Sequence, residues 1–197
     1  MLENRYYAIA IFSNEWWINT IATIIVITFL LFISKSFLKN NKIKIFNLIV
    51  GSVLLIRCIW IQWYQYYLGI WDLQWSLPLQ MCSLSAIMSG ILPLIENSNL
   101  NKNYKQWVFE FLFYYSIGAF YSILTPVYTT GINGLIYYEY YISHGGILFT
   151  SIYFFIILGY RPRIYSWLKV FLYTQPILLA IHLVNYLIGG QANYFYT

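Results

Sequence analysis

The sequence predicts an all-α polytopic membrane protein, one domain over residues 1–197 built as a bundle of about six transmembrane helices. Three observations point there. Hydrophobic residues make up 60% of the chain and charged ones only 9%, whereas soluble domains carry roughly a quarter, so a water-facing surface cannot be built. Six apolar runs each approach the roughly 20 residues that cross hydrocarbon as a helix. Lys and Arg collect in alternate connections between those runs, as the positive-inside rule requires of a multi-pass chain.

The first run, residues 16–34, opens behind Ser13-Asn14-Glu15, a cap-like start. A secretory signal would carry its positive charge ahead of the apolar stretch. Here Lys35, Lys39, Lys42 and Lys44 follow it, which reads as an uncleaved helix. Further runs cover about 45–68, 77–95, 107–124, 136–159 and 165–188. Period-2 alternation is absent, which argues against a β-barrel. Pro78 falls in the expected first turn of the third helix, where a missing N–H costs little. Pro126 closes the fourth run, and Pro176 lies inside the sixth, where it predicts a kink. Gly145-Gly146 in the fifth run predicts close approach by a neighbouring helix.

Charge sets the expected topology. Lys35–Lys44, Lys102 with Lys105, and Arg161 with Arg163 occupy the connections after the first, third and fifth runs. The alternate segments hold only Arg5 near the start. Those odd-numbered connections are therefore expected on the cytoplasmic side of the cell membrane, with the N-terminus outside. The formal charge of +5 is thereby assigned to topology and anionic headgroups rather than to nucleic acid. The expected partners are membrane lipids. Aromatic clusters at Trp16-Trp17, Trp71/Trp75 and Tyr137–Tyr141 read as interface markers.

Polar residues at membrane depth are costly and point to function. Counting the helical rise from each predicted boundary places Cys82 and His182 about 9 Å, and His144 about 12 Å, below one face. The same layer gathers Ser85 and Ser89 on the stripe of Cys82, Tyr140 and Tyr141 ahead of His144, Asn185 one turn beyond His182, and Gln62 with Gln65. Together they predict a polar pocket opening outward. Arg57 is the most costly residue, near the middle of the second run. Glu110 and Glu139 fall roughly 12 Å from it in depth, which predicts snorkelling or a partner such as a carbonyl, a Tyr hydroxyl or an anionic ligand group.

A thiol beside an imidazole is the minimal nucleophile–base pair, because the imidazole removes the proton and the thiolate attacks an acyl carbonyl. Only Cys82 with His144 or His182 offers such a pair at matched depth. The bland readings stand beside it: Cys82 as a small buried hydrophobe, and either histidine as an inter-helix hydrogen-bond donor. Cys58 reads as inert. Spacing for a metal site, a phosphate loop or a dinucleotide fingerprint is absent, and no cofactor is implied. Three functions follow: an acyl transfer or hydrolysis enzyme, a carrier or binder of a small amphiphile that needs Arg57, and a structural membrane subunit.

Leu77-Pro78-Leu79-Gln80-Met81-Cys82, Leu124-Thr125-Pro126, Ser143-His144-Gly145-Gly146, and Asn185 with Asn193-Tyr194 resemble, in order, segments of the YwaF-like bacterial integral membrane proteins. That family is related to a vertebrate multi-pass acyltransferase of ether phospholipids, in which a Cys and a His of these motifs are held to be catalytic. The resemblance implies Cys82 as nucleophile and His144 as base in lipid acyl transfer. Arg57, Gln80, Tyr141, His182 and Asn185 are the candidates for substrate binding. Gln80 stands where the family usually has His, and the resemblance implies a further hydrophobic helix beyond Tyr194.

Overall fold

A computed structural model of the chain describes residues 8–127 and 134–196; Arg5 and residues 128–133 of the connection after Pro126 lie outside them. The described residues form six α-helices and no strand: α1 (Asn14–Lys39), α2 (Ile43–Tyr67), α3 (Met81–Glu96), α4 (Lys102–Leu124), α5 (Leu135–Ile156) and α6 (Ser166–Ile188), with a short 3-10 turn at Tyr194–Tyr196. Ser13 caps α1 by accepting from the Trp16 N–H, as its position predicts. α1 and α4 extend further at their basic ends than hydropathy alone suggests, because Lys tolerates both helix and headgroup.

Four helices, α1, α2, α4 and α6, are long and apolar enough to cross a membrane. α3 falls short with 16 residues, and the first half of α5 is rich in Tyr and carries Glu139 and His144. α3 is apolar but short, and α5 can carry polar groups because it lies inside. α5 packs against α1, α2, α3 and α4, and α3 against α2, α4 and α5, whereas α6 rests on α4 and the C-terminal turn. α6 continues through Pro176.

Connections expected on one side do meet there. Asn97 Nδ2 donates to the Lys44 carbonyl at 2.7 Å, and the Tyr160 hydroxyl donates to Glu96 at 2.5 Å. Arg163 grips buried Glu110 through Nε and Nη2, each at 2.8 Å, while its own N–H adds a third bond at 2.8 Å. These contacts tie together the three basic connections. At the opposite end Trp16 Nε1 donates to the Leu124 carbonyl at 2.7 Å, and the Ile9 N–H to the Pro126 carbonyl at 3.1 Å.

Toward the basic end the core is dense and apolar, with Phe46, Leu92, Phe109, Leu112, Ile147 and Phe154 all buried. Glycines let helices close there. A Cβ on Gly146 would stand 2.7 Å from Leu54 Cδ2, which meets the expectation for the Gly-Gly pair. A second contact is absent from the sequence reading: a Cβ on Gly51 would lie 2.7 Å from the Gly90 carbonyl oxygen and 2.6 Å from Leu94 Cγ. The carbonyl belongs to a helix backbone and cannot step aside alone. Gly51→Ala is therefore expected to destabilise the protein by about 1–3 kcal/mol, the range for overpacking a filled contact, read as a lower unfolding midpoint in detergent micelles. An unchanged midpoint would show that α2 and α3 separate freely.

Candidate functional site

The third helix begins later than Pro78 predicts. The Leu79 N–H bonds back to the Leu77 carbonyl at 2.8 Å in a tight turn around Pro78, and α3 starts at Met81. The C-terminal segment holds this stretch open. The Tyr194 hydroxyl accepts from the Leu77 N–H at 2.9 Å and donates to the Leu73 carbonyl at 2.8 Å. Gln80 Oε1 accepts from the Phe195 N–H at 3.0 Å. Asn185 completes the strap, bonding both the N–H and the carbonyl of Tyr194 at 2.9 Å. A favourable first-turn proline thus yields to tertiary hydrogen bonds.

The late start puts Cys82 in the first turn of α3, where N–H groups lack intrahelical acceptors and the helix dipole favours negative charge. Beneath the strapped segment lies a cavity of about 190 Å³ between α2, α3 and α5. Its walls include Arg57 and Cys58 from α2, Cys82 from α3, and Glu139, Tyr140 and His144 from α5. Trp75–Pro78 form its wall at the end opposite the basic connections.

His144 is buried, and its Nδ1 lies 2.7 Å from the Tyr140 carbonyl. A carbonyl only accepts, so Nδ1 carries the hydrogen and Nε2 keeps the lone pair. The Tyr140 ring sits 4.2 Å from the imidazole, and its hydroxyl donates to the Ser122 carbonyl at 2.7 Å. Cys82 Sγ touches Ser122 Oγ at 3.8 Å. One run of contacts therefore joins the imidazole to the thiol through Tyr140 and Ser122, neither of which was singled out for this from sequence.

Arg57 forms an ion pair with Glu139 inside the bundle. Helix-rise bookkeeping excluded that pair, and the geometry corrects it. α5 begins at Leu135, within one residue of the expected start, so it is the reach of the long Arg side chain that closes the gap. Arg57 Nη2 also donates to Cys58 Sγ at 3.1 Å, so this thiol has a cationic neighbour, and it borders the same cavity. Arg57 Nε and Gln65 Oε1 are buried without a partner among the described residues.

The other candidates lie elsewhere. Tyr141 turns towards α1 and packs with Trp16 and Tyr137; Tyr140, its neighbour, faces the cavity. His182 is on the exposed surface of α6. Gln80 and Asn185 belong to the C-terminal strap. Cys58, Cys82, Glu139 and His144 border one cavity, yet no three His, Cys, Asp or Glu side chains converge as a metal-binding group among the described residues.

The TMEM164 family model matches residues 11–197. The chain belongs to the TMEM164 family. Together with its apolar helices, TMEM164 membership makes it an integral membrane protein. No curated protein and no solved structure matches it. Within this TMEM164-family chain the cavity is the one place where a thiol, an imidazole and a buried ion pair border a common space among the described residues.

Proposed function

We propose that this chain moves acyl groups of membrane lipids, by transfer or hydrolysis, with Cys82 as nucleophile and His144 as base. The observation that carries this reading is that both side chains border one cavity while His144 holds its Nε2 lone pair available. The helix N-terminus at Cys82 supports it, since an anion is favoured there, as does the resemblance to YwaF-like proteins and their acyltransferase relative.

The thiol leaves Ser122 and turns to His144, whose Nε2 takes its proton. The thiolate attacks an ester carbonyl of a lipid, and the tetrahedral intermediate expels the lysolipid alkoxide, which takes the proton from the imidazolium. The acyl group then rests on Cys82 as a thioester. An acceptor hydroxyl, or water, gives its proton to Nε2 and attacks the thioester. The Cys82 sulfur leaves and is reprotonated by His144. Arg57 stands on the same cavity wall as a source of positive charge for the oxyanion. In this reading residues 1–197 act as one unit in the cell membrane, with the basic connections cytoplasmic, the N-terminus outside, and the cavity in the outer leaflet.

Comparative lipidomics of cells expressing the wild type, Cys82→Ala and His144→Ala tests the proposal. Both variants are expected to lose the acyl-chain changes that the wild type produces. A hydroxylamine-sensitive acyl adduct should be found on Cys82 of the wild type alone. Lipids remodelled equally by Cys82→Ala would end the reading. The Arg57–Glu139 pair in the same cavity favours one other function, a non-catalytic binder or carrier of an amphiphile; such a protein would tolerate loss of Cys82 but not of Arg57.

A further inference from the structure

A second hollow of about 310 Å³ lies between α2 and α5, walled by Val53, Ile56 and Trp60 on one helix and Leu135, Tyr138 and Ile142 on the other. It is a groove in the side of the bundle: Ile56 and Ile142 remain 64% and 58% exposed. In an integral membrane protein that surface meets lipid chains. The two helices touch sparingly along this seam. Leu54 against Gly146 closes it towards the basic end, and the Arg57–Glu139 pair bridges it further along.

Arg57 and Glu139 border the groove and the polar cavity alike. No other described residue lines both. An apolar channel open to the bilayer therefore ends at an ion pair whose far side is the space containing Cys82 and His144. The pair is close to fully buried, with 11% and 14% of the two side chains exposed, and Arg57 Nε is a donor with no acceptor among the described residues. Such an arrangement complements an amphiphile, with hydrocarbon along the groove and an acceptor oxygen at the guanidinium.

We propose that the α2–α5 groove binds one acyl chain of a glycerophospholipid and that Arg57 takes the ester carbonyl at its inner end, making this seam the lateral access route from the bilayer to the cavity. Lipid binding in the groove stands on its own geometry; delivery to Cys82 rests on the acyl-transfer reading. The ion pair is the partition between the two spaces. A carbonyl arriving at Arg57 gives the unpartnered Nε an acceptor while Glu139 stays paired to Nη1.

The test uses the full chain in phosphatidylcholine nanodiscs doped with phosphatidylcholine bearing a diazirine in mid-chain, with adducts mapped by mass spectrometry. Adducts should concentrate on residues 53–60 and 135–142. Ile56→Trp with Ile142→Trp, both at lipid-facing positions that a larger ring can occupy, should reduce them roughly tenfold, the equivalent of about 1.4 kcal/mol of lost contact. Leu179→Trp on the exposed face of α6 should leave them unchanged. Adducts spread evenly over α1, α2 and α6, or indifferent to the filled groove, would overturn the proposal. The readout needs no turnover, so groove labelling that persists in Cys82→Ala supports the site even where lipidomics defeats the acyl-transfer reading.

Discussion

Glu139→Gln is expected to lower the unfolding free energy by about 3–5 kcal/mol, because it leaves the Arg57 guanidinium buried with no countercharge. The two side chains are nearly enclosed, and the guanidinium's other hydrogen-bond partner among the described residues is Cys58 Sγ at 3.1 Å. A thiol is a weak acceptor and carries no compensating charge as a neutral group. Arg57→Met should cost less than Glu139→Gln, since a carboxylate left alone can neutralise itself by taking a proton whereas a guanidinium cannot release one. Arg57→Met with Glu139→Met should recover most of the loss, because paired burial of charge is close to neutral against apolar side chains of similar volume. A double-mutant cycle of unfolding in mixed micelles measures the coupling. If Glu139→Gln proves as stable as the wild type, the guanidinium is solvated through the cavity, and the pair is not the seal between groove and cavity described above.

How far the site could be read from sequence depended on the distance over which its determinants act. The common depth of Cys82 and His144 follows from helical rise along two runs whose ends are marked by aromatic residues, and both line the same cavity in the structure. Tyr140 and Tyr141 are adjacent and stand about 100° apart on a helix, so depth alone could not say which one faces His144. Arg57 and Glu139 were separated by a reckoning of backbone heights that gave no weight to side-chain reach. Gln80 and Asn185 have the right chemistry for a polar pocket. Their actual partners lie on Tyr194 and Phe195, and only the return of the chain to the connection before α3 reveals this.

That return also explains a departure in α3. Proline at a first helical position is a sound local signal, yet the Tyr194 hydroxyl, donating to the Leu73 carbonyl and accepting from the Leu77 N–H, holds the segment out of the helix. The shortened α3 then presents its first turn to the cavity instead of burying it under another turn of helix. Irregular backbone at membrane depth is tolerated where it lines a cavity. The six-helix bundle, by contrast, was legible because it rests on run length and charge alternation, which need no tertiary information.

Cys82→Ser and His144→Ala should each reduce acyl transfer by about 10³- to 10⁴-fold, and the double variant should be no worse than either. Nucleophile and base act as one unit: without the imidazole the thiol lacks a proton acceptor, and without the thiol the imidazole has no proton to take. Ser is the informative replacement at position 82 because it retains the size and the contact to Ser122 while supplying a far poorer nucleophile. At position 144, Gln should fail as fully as Ala, since an amide can hydrogen-bond but cannot carry the proton. Single-turnover transfer from a labelled phospholipid to a lysophospholipid, measured with purified protein in nanodiscs, gives the rates. Losses that multiply in the double variant would show that the two residues contribute independently, as scaffold or as binding groups. Two side chains bordering one cavity would then have been a matter of packing, and the nucleophile would have to be sought at Cys58, where Arg57 already supplies the positive charge.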